Sequence, residues 1–124
     1  MPNTQSTRAL RIAMAQVNPV VGNIDGNAAL IKDAVGQSLA HDVDVVVFPE
    51  MVLTGYPVED LALRPAFRSA SINRLNSLAT ELKSIGADKT LVLVGYLDEG
   101  GKPLNSLALI YGGAVVANTP RDTY

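Results

Sequence analysis

Cysteine is absent from this chain of 124 residues, and histidine occurs once, as His41. The first absence excludes disulfides, thiolate metal sites and a cysteine nucleophile from this chain. A single imidazole cannot build a histidine-rich metal site, so no metal is expected. His41 stands between a helical pattern and a strand, and no nearby motif supplies convergent partners, so it is read as a helix-end or loop residue. Charge is also sparse, at 18% of residues with a net value of −2 and no run of one sign, which gives nucleic acid no electrostatic hold. No window reaches the roughly 18 consecutive apolar residues of a membrane span, and the polar start MPNTQSTR lacks the apolar core of a signal peptide. A cytoplasmic protein with no membrane partner is the expectation. There is no phosphate-binding glycine loop, so no nucleotide cofactor is expected to bind this chain.

What is present is a hydrophobic fraction of 48%, enough for one ordered domain with its own core. Residues 1–8 read as a disordered tail and residues 9–124 as the domain. Ala9 to Val17 is apolar on both parities apart from Arg11 and Gln16, the pattern of a central strand. Residues 18–27, rich in Asn and Gly, form a loop. Ile24, Ala28, Ile31, Val35 and Leu39 then recur at helical spacing, with Asn27, Lys32, Asp33 and Gln37 on the polar side. Val43 to Phe48 is a β-branched apolar run, read as a buried strand parallel to the first. Val58 to Leu63 suggests a short helical turn. Pro65 opens a long helix striped by Phe67, Ser71, Leu75, Leu78, Leu82 and Ile85, with Gly86 as its stop. Thr90 to Leu97 and Ser106 to Tyr111 are expected to pair antiparallel, Gly112 and Gly113 to make a tight hairpin, and Ala114 to Ala117 to form a short fifth strand. NTPRDTY reads as turn-forming residues.

The most informative stretch follows the Val43 to Phe48 strand. Pro49 cannot donate to a sheet ladder, so the strand stops and Glu50 is delivered at its carboxyl end, where ligands bind in open α/β sheets. The string FPEMVLTGYPVEDLALRPAF, from Phe48 to Phe67, resembles the first catalytic segment of the nitrilase (carbon-nitrogen hydrolase) superfamily. TGYP followed by EDL and RPAF is similar, within it, to the glutaminase domain of glutamine-dependent NAD synthetases. The resemblance runs over residues 9–117 and implies an α/β fold, a partial nitrilase-type α-β-β-α sandwich amounting to about the first half of the domain.

The resemblance also implies chemistry. The family uses Glu, Lys and Cys: a thiolate attacks the carboxamide carbon of glutamine, ammonia leaves, and water cleaves the acyl-enzyme. Lysine supplies compact positive charge to the oxyanion. By motif match Glu50 is the general base, and Tyr56 matches a tyrosine lining the glutamine pocket, or covers the sheet edge. Counting from Gly112 and Gly113 puts Arg121 where the family has Lys, a replacement that alters reach and shape; an exposed arginine in a frayed tail is the alternative. The family's Cys would lie beyond Tyr124. Glu59 and Asp60 are adjacent and cannot face each other on a helix, so they read as charges at a helix start. Asn105 and Ser106 match the NS at the start of a family strand and read as turn and backbone hydrogen-bonding residues. The expectation is an inactive amino-terminal fragment of such a glutaminase domain, ATP and Mg belonging to the absent synthetase domain. A non-catalytic nitrilase-like interaction module is the alternative. Glutamine is the partner of the complete domain, and a homo-oligomer or complementing chain would cover the apolar surface that missing strands leave.

Overall fold

The computed structural model describes residues 9–123, with side chains described as far as Thr119. The tail expected over residues 1–8 lies outside the described residues. In chain order the elements are β1 (Ile12–Met14), α1 (Ile24–Leu39), β2 (Val45–Val47), a 3-10 turn (Glu59–Leu63), α2 (Pro65–Ser84), β3 (Leu91–Glu99), β4 (Pro103–Tyr111) and β5 (Ala114–Thr123). The strands form one sheet in the order β1-β2-β3-β4-β5. The first three are parallel, and β3, β4 and β5 run as an antiparallel meander.

Local chemistry sets the helix ends. The Asn23 side chain caps α1 by accepting from the Gly26 N–H at 3.1 Å, satisfying one of the donors a helix start leaves open. Pro65 occupies the first turn of α2, where a missing N–H costs nothing. At its far end Gly86 takes a φ of +96° while the Gly86 and Ala87 N–H groups donate back to Lys83 and Leu82, the left-handed stop that glycine permits.

Both helices cover the same face of the sheet. Ile31 and Val35 of α1 and Leu75, Leu78 and Leu82 of α2 pack with Val46, Val92, Val94 and Ile110 in one buried cluster. Asn27, read from its spacing as a polar-face residue, is instead fully buried. Its amide exchanges two hydrogen bonds with Val20, both 2.8 Å, and donates to the Leu53 carbonyl at 3.1 Å, so burial leaves its polar atoms satisfied.

The other face carries two cross-strand rows, Ile12–Val45–Leu91 and Met14–Val47–Leu93–Leu109. Ile12 and Met14 remain 54% and 77% exposed. β1 was expected to be central and to span Ala9 to Val17; in the described sheet it is a three-residue edge strand. Its apolar residues of both parities reflect one side chain, Ala13, under the helices and two on the open face. The expected ending in turn residues is also corrected. β5 continues through Thr123, because β4 itself begins at Pro103 and offers a partner along that length. The strand expected from Ser106 begins three residues earlier, so Asn105 and Ser106 lie inside β4 and are buried rather than at a turn before it.

Candidate functional site

Past β2 the chain stays on the β3 ladder but runs out of register. Phe48 donates to the Leu93 carbonyl at 3.3 Å, and the next bond of the series, to the Gly95 carbonyl at 3.1 Å, comes from Leu53. A regular parallel ladder would advance two residues on each strand. Here five residues span the distance of two, so residues 49–52 arch outward with Glu50 on the arch. Met51 holds a φ of +53°, strained backbone for a non-glycine residue, and its side chain is fully buried with Val58, Ala62 and Leu97.

The arch rests on Gly95. A Cβ at that position would lie 2.4 Å from the Met51 nitrogen and 3.3 Å from the Glu50 Cα, so only glycine admits so close a backbone approach. Beyond the arch, Gly55 turns the chain with a φ of +79° and donates to the Met51 carbonyl at 2.9 Å. A Cβ on Gly55 would meet the Val21 backbone at 2.7 Å. The Gly22 N–H bonds the Thr54 carbonyl at 2.9 Å, and with Asn27 this ties the loop after β1 to the loop after β2.

Asn105, on β4, donates from Nδ2 to Glu50 Oε2 at 2.6 Å. The amide is 9% exposed, and its Oδ1 has no hydrogen-bond partner among the described residues. A buried acceptor of this kind, beside a carboxylate held by the same side chain, is a polar corner open to a donor. Glu50 was placed from sequence by local devices, namely the apolar strand, Pro49 and Gly55. The structure adds contacts from Gly95 and Asn105, both far along the chain. Gly95 had a legible signal, a glycine interrupting the apolar run LVLVGYL; Asn105 had only its neighbour Ser106 and the turn-like look of LNS.

Tyr56 follows the Gly55 turn and is 65% exposed. Glu59 and Asp60 stand in the first turn of the 3-10 segment, both exposed. That segment is anchored by Arg68, which is buried, pairs with Glu99 and donates to the Ala62 carbonyl at 2.8 Å. Arg121 lies in β5, where the register shifts between Asn105 and Ser106. It is the unpaired residue of that shift, between Pro120, which stands opposite Ser106, and Asp122, which stands opposite Asn105; its side chain lies outside the described residues. His41 is exposed just after α1, and its carbonyl accepts from Arg11 at 3.2 Å. It lines a groove of about 370 Å³ between β1 and α1, with Gln16, Asp33 and Gln37, away from the arch. Among the described residues no three His, Asp or Glu side chains gather as a metal site, and no helix is long and apolar enough to cross a membrane.

Comparison with known proteins settles the family. The carbon-nitrogen hydrolase model matches residues 11–119. This chain belongs to the carbon-nitrogen hydrolase family. It is 32% identical over 109 residues to a glutamine-dependent NAD(+) synthetase of Thermotoga maritima, covering 88% of this chain and 18% of that protein. The crystal structure of a glutamine-dependent NAD(+) synthetase from Cytophaga hutchinsonii superposes with a TM-score of 0.81 at 25% identity, over 90% of this chain and 19% of that one. An amidase from Nesterenkonia sp. shares the fold at a TM-score of 0.72 and 20% identity, with 90% of this chain and 42% of the amidase covered. The chain thus spans about a fifth of the length of the NAD(+) synthetases it matches.

Proposed function

We propose that this chain is part of the glutaminase unit of a glutamine-dependent NAD synthetase, with Glu50 as the general base of glutamine hydrolysis. The observation that carries this reading is the arch: a carboxylate set just past a parallel strand, seated on Gly95 and oriented by Asn105 at 2.6 Å. A positioned base contributes about 10²–10⁴-fold to such a reaction. In the complete unit Glu50 would take a proton from the thiol as it attacks the carboxamide carbon and return it to the leaving ammonia. Tyr56 would border the pocket and Arg121 would stand in the lysine position. This chain has no cysteine, so no acyl-enzyme forms on it, and by itself it is inert toward glutamine. ATP and Mg would act in a separate synthetase domain.

The test is to measure ammonia release from glutamine by this chain alone, and by this chain combined with the remaining segment of a relative's glutaminase domain. The chain alone is expected to release none, and the combination to lose about 10²-fold or more on Glu50→Gln. Turnover by the chain alone that vanishes in Glu50→Gln would overturn the claim of inertness. A combined activity indifferent to that substitution would overturn the role of Glu50. A second reading, a non-catalytic nitrilase-like interaction module, is favoured by the apolar sheet face opposite the helices. It gains if the combination never turns over.

A further inference from the structure

The hairpin of β4 and β5 does not close in one register. From Tyr111 opposite Ala114 and Ile110 opposite Val115, an uninterrupted ladder would set Leu107 against Asn118 and Leu104 against Arg121. The strand instead slips twice. The first shift leaves Val116 unpaired, so that Ala108 stands opposite Asn118 and Ser106 opposite Pro120. The second leaves Arg121 unpaired, so that Asn105 stands opposite Asp122 and Leu104 opposite Thr123. Hydrophobic patterning does not account for these slips. Val115 packs on the core, but Ala117, Asn118 and Thr119 are all exposed although successive residues alternate in face, and register is weakly specified where a strand has no buried side. Pro120 has no N–H to give, which favours an irregular ladder without choosing one.

What distinguishes the observed register is a polar clasp. Tyr96 of β3 is 2% exposed. Its hydroxyl donates to Asp98 Oδ2 at 2.9 Å and accepts from Asn118 Nδ2 at 2.8 Å, and the same amide reaches Asp98 Oδ2 at 3.4 Å. Since β3 and β5 are not neighbours, the phenol ring reaches across β4, where Ser106 and Ala108, opposite Tyr96 and Val94, are small enough to let it pass. Burial pushes the phenol up to about 12, so its proton stays in place. In the uninterrupted ladder Asn118 would fall opposite Leu107, whose partner on β3 is Gly95. That is the other face of the sheet, where the amide cannot meet the hydroxyl. We infer that Tyr96, Asp98 and Asn118 are positioning residues: by fixing Asn118 against β3 they hold both slips, and so set residue 121 as the extra residue of β5 beside the Asn105 that holds Glu50. The catalytic meaning of position 121 rests on the reading proposed above, with Arg121 where the family has lysine; the register itself does not. A base and a cation serve one reacting centre only when held to within about 0.5 Å, and a one-residue slip moves a strand by about 3.4 Å.

The chain has no cysteine, so a pair of introduced cysteines reports the register alone. Leu104→Cys with Thr123→Cys joins residues that stand opposite each other, at the roughly 5 Å that a disulfide accepts. Leu104→Cys with Arg121→Cys joins residues that would be opposite only in the uninterrupted ladder. Under mild oxidation, with yields read by mass spectrometry, the first pair is expected to close roughly tenfold more than the second or better. Asn118→Leu keeps the volume but cannot donate, and Tyr96→Phe keeps the ring; each is expected to lower that ratio roughly tenfold. The two together should lower it little further than the stronger alone, because both break one clasp. Val35→Ala opens a cavity under α1, at a fully buried position, and should lower the melting temperature while leaving the ratio unchanged. A ratio that neither clasp variant moves would overturn the inference, and so would one that Val35→Ala moves equally. If Asn118→Leu does not fold, Tyr96→Phe decides. The glutamine assay answers to Glu50 and is separate: a ratio that follows the clasp, beside a combination that never turns over, upholds the positioning and removes only the role given to position 121.

Discussion

A methyl group at position 95 would press on the Met51 nitrogen from 2.4 Å, and backbone, unlike the tip of a side chain, cannot swing aside. Gly95→Ala is therefore expected to destabilise the fold by about 1–3 kcal/mol, the usual cost of overpacking a closed site. Urea denaturation reads that loss, and the Glu50 and Asn105 amide resonances should shift more than those of α1. Glu50 was legible in the sequence because everything that ends its strand is written beside it. Gly95 was half legible, as a glycine where a strand should have a side chain. Asn27 was not, since helical spacing assigns a residue to a face but cannot reveal that two loop carbonyls wait for its amide. Asn105 was misread for a related reason: Asn and Ser favour turns, and the carboxylate that rewards a buried amide lies on another strand.

Between elements, the two helices are joined by a charged clasp. Arg74 donates to both oxygens of Glu81 at 3.0 and 3.1 Å, and Lys32 of α1 reaches the same carboxylate at 3.2 Å. The hydrogen bonds from Arg74, more than those from Lys32, hold the Glu81 carboxyl below its ordinary range against the opposing effect of desolvation. A lowered carboxyl pKa adds stability that is complete above the unfolded value and is lost as pH falls through the folded one. Glu81→Gln should thus lower stability near neutrality, by less than about 1 kcal/mol for so exposed a group. The difference from the wild type should shrink as pH falls below the ordinary glutamate range, measured by thermal melts across pH. Helices were the most legible elements: α1 and α2 follow from stripes of Ile, Val and Leu and from Pro65 and Gly86. Strand lengths were less so. β1 and β2 shrink to three residues because pairing depends on a neighbour's backbone, and β5 outruns its apolar start because β4 supplies partners for polar residues as readily as for apolar ones.

At the scale of the molecule, the sheet is uneven. β3 is paired on both sides and buried, whereas β1 is a short edge with two exposed side chains. Amide hydrogen exchange is expected to be slowest in the centre of β3 and fastest, among the strands, in β1, because opening costs less where few buried contacts break. Equal protection of the two would contradict this ordering. The arch that carries Glu50 straddles that gradient. Its closing contacts join residues 26 apart in the chain at Asn27 and Leu53, and 55 apart at Glu50 and Asn105. Closing loops of such length costs more entropy than making local turns, so these contacts are expected to form after the meander of β3, β4 and β5, an order that pulse-labelled hydrogen exchange during refolding would read. On that order the carboxylate arrives late. A nascent chain can hold helices and hairpin while Glu50 still wanders, and its capture marks the moment at which the two ends of the sheet have become one body.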